Sequence, residues 1–240
     1  MKRCWTGKES AGKNYILADE SEYVLSRNAR WFKRTGVPRT MAYDAPMAPH
    51  FIERIEKAGL KYLQFRNLSD ILFLTDADIF IGELLKFFPQ RGSDPLPFEV
   101  LDFITQSAKR GVFIYGASQD FSQVHKQYRL LVNEVYIVTK VIGSPRPFPS
   151  RPPVKRIWGI IMARQVDPDS FRGDNSTMQE LDTSFSIPTF YFIQRSICEL
   201  FDTSYSVKLG EHPPLFVRKQ RIIGKTADGT IEYEKEVWKP

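Results

Sequence analysis

Gly7-Lys8-Glu9-Ser10-Ala11-Gly12-Lys13-Asn14 carries the spacing G-x-x-x-x-G-K near the start of the chain. Glycines so spaced let successive backbone N–H groups converge on phosphate oxygens. The lysine neutralises the β/γ charge, and the following helix offers its positive N-terminal end. The chemistry that fits is binding of a nucleoside triphosphate, ATP, with Gly7, Lys8, Glu9, Ser10, Ala11, Gly12, Lys13 and Asn14 as the contact set. The last position departs from the pattern. A hydroxyl there holds Mg²⁺, and the amide oxygen of Asn14 is a poorer ligand, although it remains the metal donor that the loop offers. The competing reading is a solvated turn.

Carboxylates supply the second element of such a site. Residues 71–76 form a continuous apolar run closing on Asp76, as a buried parallel strand does at its ligand-binding edge. Two registers are open. In one, Asp76 is the metal-associated acid and Asp78 polarises water; in the other, Asp76 replaces a catalytic glutamate and the metal carboxylate is missing. A third reading makes Asp76 and Asp78 caps of a following helix. A third cluster is basic: Arg146, Arg151, Lys155 and Arg156 lie in or beside a proline-rich segment, where they could contact nucleic-acid phosphates or simply decorate a linker.

Strands and helices must alternate to bring these groups together. Residues 1–6 read as a strand, short and polar for a central one, and 15–25 as a helix. Residues 48–59 repeat apolar positions at helical spacing, and 60–65 read as a strand. After the run at 71–76 come a helix over 97–109, a strand over 111–119 with a polar tip, a helical stretch over 121–131 and a strand over 134–140. Residues 156–164 read as a strand and 190–200 as a short helix or strand. Asp228-Gly229 between apolar pairs predicts a terminal hairpin. The fold class expected is α/β, a P-loop NTPase-type, mostly parallel sheet flanked by helices, with a small β-containing C-terminal extension. The expected division is 1–142 core, 143–155 Pro/Arg-rich linker or arm, 156–205 continuation of the core and 206–240 extension.

Composition agrees with a folded protein. The 240 residues are 42% hydrophobic and 13% aromatic, enough for one sizeable core. Lys+Arg 34 against Asp+Glu 28 gives a net charge of +6, a bias toward polyanions such as nucleic acid or an acidic membrane surface. Cys4 and Cys198 have no C-x-x-C partner, so neither a disulfide framework nor a zinc site is expected, and free thiols suit a reducing cytosol. No signal peptide or membrane-length apolar run is read, which predicts a soluble chain at the cytoplasmic face of its host cell, reaching a membrane only through partners.

Residues 74–80, then Phe88-Pro89-Gln90-Arg91-Gly92, then the strand ending at Gln119 and the stretch from Val124 to Val132 together resemble the zonular occludens toxin-like ATPase domain, of the FtsK/HerA group of P-loop motors. The resemblance extends over roughly residues 1–205 and includes an aromatic-Asp-Thr segment at Phe201-Asp202-Thr203. It implies that Gln119 senses the γ-phosphate, that Arg129 serves as an arginine finger for a neighbouring subunit, and that Arg91 orders the loop after the acids. The ordinary alternatives are a polar strand end for Gln119 and surface charge for Arg129; His125 reads as a solvated helix position. The implied function is an ATP-driven homo-oligomeric motor for phage assembly or for export of single-stranded or double-stranded DNA, working with a phage assembly or membrane protein. Its catalytic set is Lys13, Asp76, Asp78, Gln119 and Arg129, with ATP and Mg²⁺ as cofactors. The alternative function, drawn from Asn14 and the absent acid, is a weakly hydrolysing or inactive nucleotide binder acting as a structural or DNA-binding partner.

Overall fold

A computed structural model describes residues 1–8, 11–90, 95–143, 159–171, 188–198, 200, 217–225 and 231–237. β1 (Lys2–Thr6) is followed by α1 (Lys13–Thr35), β2 (Thr40–Tyr43), α2 (Pro49–Lys57), β3 (Lys61–Gln64), β4 (Ala77–Ile81) and α3 (Phe98–Gln106). Then come β5 (Phe113–Ser118), the short α4 (Lys126–Arg129), β6 (Glu134–Gly143), β7 (Gly159–Val166), β8 (Pro188–Phe192) and α5 (Arg195–Cys198). Strands one to eight form one sheet in the order β3-β2-β4-β5-β1-β6-β7-β8. All pairings from β3 to β6 are parallel, and β7 and β8 add antiparallel. β9 (Val217–Lys225) and β10 (Ile231–Val237) pair antiparallel on either side of residues 226–230, the hairpin that the Asp-Gly step predicts.

Both faces of the sheet are covered, as a parallel sheet requires. One core joins Cys4, Ala42, Ile79, Ile81 and Ile114 to Phe87, Phe88, Val100 and Phe103; the other joins Trp5, Tyr43, Phe80 and Tyr115 to Ile16, Leu17 and Val24 of α1 and Phe51 and Ile55 of α2. Beneath α1 the register partners Tyr43, Phe80 and Tyr115 stack across three strands, with ring centroids 4.8 Å apart at each step. Each such pair adds about 0.5–1.5 kcal/mol beyond burial. α1 runs 23 residues, ten beyond its expected end, and stops at Gly36, whose N–H donates to the Phe32 carbonyl from a left-handed conformation. Among the described residues no helix is long and apolar enough to cross a membrane.

The apolar run at 71–76 is not a strand. An Asn67–Asp70 capping box starts a 3₁₀ turn at Leu68–Asp70, Ile71 and Leu72 drop into the core, and Phe73 stands 88% exposed. Asp76 then takes φ 48°, a left-handed conformation that short polar side chains tolerate, and the true strand starts at Ala77. Its five residues, Ala77 to Ile81, are all buried. The strand expected to end at Asp76 thus begins just after it. The helical stretch expected at 121–131 is a 3₁₀ turn at Phe121–Gln123 followed by α4, which His125 caps by accepting the Gln127 N–H. His125 is buried, not solvated.

Candidate functional site

β1 ends at Thr6 in the middle of the sheet, and the chain turns through Gly7 and Lys8 before Gly12 starts α1. Gly7 is obligatory: a Cβ there would lie 2.4 Å from the backbone carbonyl oxygen of Val138 in β6, which cannot give way as a side chain can. Gly12 caps α1 at φ 101°. No acidic residue occupies the first turn, so the positive end of the helix faces the loop without a counter-charge from that turn. The Lys13 ammonium is folded onto the loop, donating to the carbonyls of Gly7 at 2.7 Å and Lys8 at 3.0 Å. An entering phosphate would take over those contacts. Asn14 is exposed on the same turn; Glu9 and Ser10 lie outside the described residues.

The carboxylate facing this loop is Glu83, two residues past the end of β4 and absent from the expected set. Its carboxylate accepts the Leu85 N–H and lies within reach of the Gln119 backbone N–H and the Ser118 hydroxyl at the end of β5. Burial pushes the carboxyl above its ordinary range, and Lys13 among others works against that shift. β5 lies between β1 and β4, so the loop, Gln119 and Glu83 stand on three adjacent strand ends. Gln119 is exposed at the position from which a strand-end amide could reach a bound phosphate. The cue for Glu83 was present in sequence: residues 79–81, Ile-Phe-Ile, are as apolar as 71–74 and lead directly to Gly82-Glu83.

Asp76 and Asp78 are at the other end of β4. Asp78 pairs with Phe113 at the start of β5, and five residues at about 3.3 Å each put roughly 16 Å between it and Glu83. Neither acid reaches the loop. Asp78 is fully buried and receives Arg27 Nη2 at 2.5 Å, Asn28 Nδ2 at 2.9 Å and Arg39 Nε at 2.9 Å. It ties α1 and the segment before β2 to the sheet. Asp76 is half exposed, 3.8 Å from Arg39. Arg129 also departs from its expected role: it is buried, and its guanidinium donates to the Phe171 carbonyl within the same chain. An arginine finger needs a projecting head. Arg91, Arg146, Arg151, Lys155 and Arg156 lie outside the described residues.

A second strand-end acid was missed because β2 itself was missed. Asp44 follows Tyr43 at the end of β2, where its Oδ1 accepts the Gly82 N–H at 2.9 Å. Burial raises its carboxyl from 3.8 to about 6, against the pull of backbone N–H groups and Lys86. The folded state therefore holds this proton more tightly than the unfolded chain, and stability falls as pH rises from about 4 to about 6. Asp44→Asn is expected to raise the Tm of the ligand-free protein at pH 7.5, with the difference disappearing below pH 4; thermal unfolding across that range checks it. A Tm gain that persists at pH 3.5 would contradict this origin.

Mg²⁺ at a phosphate site takes hard oxygens, one or two carboxylates together with phosphate and water. The Asn14 amide and the carboxylates at the ends of β4 and β2 are donors of that kind, so the residues fit the ion. Among the described residues no group of three or more His, Cys, Asp or Glu forms a metal cage, and a bound ion would depend on the nucleotide's own phosphates.

A parallel sheet with a glycine-rich turn leading from a central strand into a long helix, and an acid two strands away, defines a P-loop NTPase-type fold. The N-terminal domain of zonular occludens toxin from Neisseria meningitidis shares it, with a TM-score of 0.52 at 13% identity over 84% of this chain and 98% of that domain. Weaker likenesses are the genome packaging NTPase B204 of Sulfolobus turreted icosahedral virus 2 in complex with AMP (TM-score 0.44, 11% identity, 70% of this chain and 92% of that one) and the flagellar accessory protein FlaH of Methanocaldococcus jannaschii (0.39, 9%, 69% and 76%). No family profile matches the sequence, and no curated protein matches it. The resemblance read from sequence is thus matched by a likeness of fold.

Proposed function

We propose that this chain binds ATP in the loop between β1 and α1 and hydrolyses it as part of an oligomeric motor acting on DNA, in phage assembly or DNA export. The observation that carries the reading is the convergence of Lys13, the N-terminal end of α1 and Glu83 at adjacent strand ends. Lys13 and the loop N–H groups hold the β- and γ-phosphates. Glu83, buried enough to raise its carboxyl yet beside a cation, takes the proton of the attacking water, and Gln119 orients that water or the γ-phosphate. When bound, Mg²⁺ would supply neutralisation of phosphate charge, and Asn14 would be its donor on the loop. Phosphate contacts to single-stranded or duplex DNA are assigned to Arg146, Arg151, Lys155 and Arg156, and the reading includes docking to a membrane or assembly protein.

Two substitutions favour a second reading, a nucleotide binder that hydrolyses weakly and acts as a structural partner: Asn14 replaces the hydroxyl, and Gly82 leaves no acid directly before Glu83. ATP turnover with Mg²⁺, with and without single-stranded and duplex DNA, separates them. Lys13→Ala is expected to weaken ATP binding by at least about tenfold, roughly 1.4 kcal/mol, and to abolish any DNA-stimulated turnover. Unchanged nucleotide affinity in folded Lys13→Ala would remove the site assignment. Binding without turnover in assembled protein would select the second reading.

A further inference from the structure

We propose that Asp44, at the end of β2, supplies the carboxylate that β4 lacks at Gly82, and with it the protein's hold on the metal of a bound nucleotide. The inference rests on the nucleotide reading above and names a residue from a neighbouring strand in its site. Along β4, Asp78 and Phe80 point to the face covered by α1, since Asp78 meets Arg27 and Asn28 and Phe80 joins the core beneath that helix. Residue 82 is next in that alternation. A Cβ built on Gly82 would lie 3.5 Å from Asp44 Oδ1 and 3.8 Å from Oδ2. The Asp44 carboxylate therefore occupies the space beside Gly82 into which an acid at that position would project, on the face that carries the phosphate loop.

Its bonding points the same way. Gly82 donates its N–H to Oδ1, and the Glu83 N–H also contributes, so the carboxylate is fixed to the turn that carries Glu83. Among the described residues no Lys, Arg or His nitrogen pairs with the partly buried Asp44 within 4 Å, whereas the fully buried Asp78 on the same sheet has two arginines. A carboxylate held by backbone N–H groups and left without an ion pair is only partly compensated. A cation arriving with the nucleotide would complete that compensation. The absence of a side chain at Gly82 makes room for this arrangement, because an acid there would set two carboxylates against each other.

Calorimetric titration of ATP into the full chain, once with excess Mg²⁺ and once with EDTA, tests the assignment without relying on turnover. Wild type is expected to bind ATP about tenfold more tightly with Mg²⁺. Asp44→Asn should lose that increment while keeping the metal-free affinity, and the double variant Asp44→Asn with Gly82→Asp should regain it by returning the charge to β4. Thermal unfolding of each variant verifies folding. An Asp44→Asn protein that keeps the Mg²⁺ increment overturns the proposal, as does a wild type that binds ATP equally well in both buffers. A wild type that binds ATP in neither buffer overturns the nucleotide reading itself.

Discussion

Replacing Asp78 with alanine is expected to destabilise the fold by about 3–5 kcal/mol, the range found when one member of a buried ion pair is removed. The cost arises less from lost attraction than from what remains. Arg39 is buried, and besides Asp78 its guanidinium is held by the carbonyls of Ala77 and Gly111; without the carboxylate its charge has only those neutral acceptors and the distant, half-exposed Asp76. Asn28 would lose its acceptor and Arg27 its closest partner, loosening α1 from β4 and β5 together. Urea denaturation measures the loss, with Asp76→Asn as the exposed control, whose short polar side chain tolerates the same left-handed backbone, expected to change stability by less than about 1 kcal/mol. A water-polarising role for Asp78 predicts the reverse pattern, turnover lost with stability intact. A loss below about 1 kcal/mol for Asp78→Ala would show that the four-residue network does not hold α1 in place.

That network also explains why the acids were misplaced when the chain was read as a string. The apolar runs at 71–74 and 79–81 lie close together with Asp76 and Asp78 between them, so the aspartates look like the polar end of the first rather than the entrance to the second. What decides between them is distant in sequence. Asp78 can be buried because Arg27, Asn28 and Arg39 arrive from α1 and the segment after it, some 40 to 50 residues earlier, and hydrophobic periodicity contains nothing of that pairing. The four-residue β2 escaped notice between Pro38 and Pro46 for a related reason, since it is too short to show a period, and Asp44 escaped with it. By contrast, the glycine spacing, Lys13 and the strand ending near Gln119 were legible because their geometry is local. A tight turn, a helix start and a strand tip are each written within a few residues. Arg129 was legible as a residue and not as a role: its sequence position says nothing about the Phe171 carbonyl that turns it inward.

If Glu83 activates water, Glu83→Gln should reduce ATP turnover by about 10²–10⁴, the usual contribution of a positioned general base, while the affinity for ATP changes by less than about threefold. The amide keeps the size of the side chain and an acceptor for the Leu85 N–H, so the loop geometry is retained and only the basicity is removed. The pH profile gives a second, independent reading. Burial raises the Glu83 carboxyl above its ordinary 4.5, with Lys13 opposing the shift, so the acid limb of kcat in wild type should lie above that value and fall away as Glu83 takes up a proton. Glu83→Gln should show its residual rate without that limb. A merely structural Glu83 would lower stability and nucleotide affinity together and leave the limb in place. Full turnover in Glu83→Gln would return the search for the base to the second strand-end acid, Asp44, because Asp76 and Asp78 stand at the opposite end of β4 from the phosphate loop.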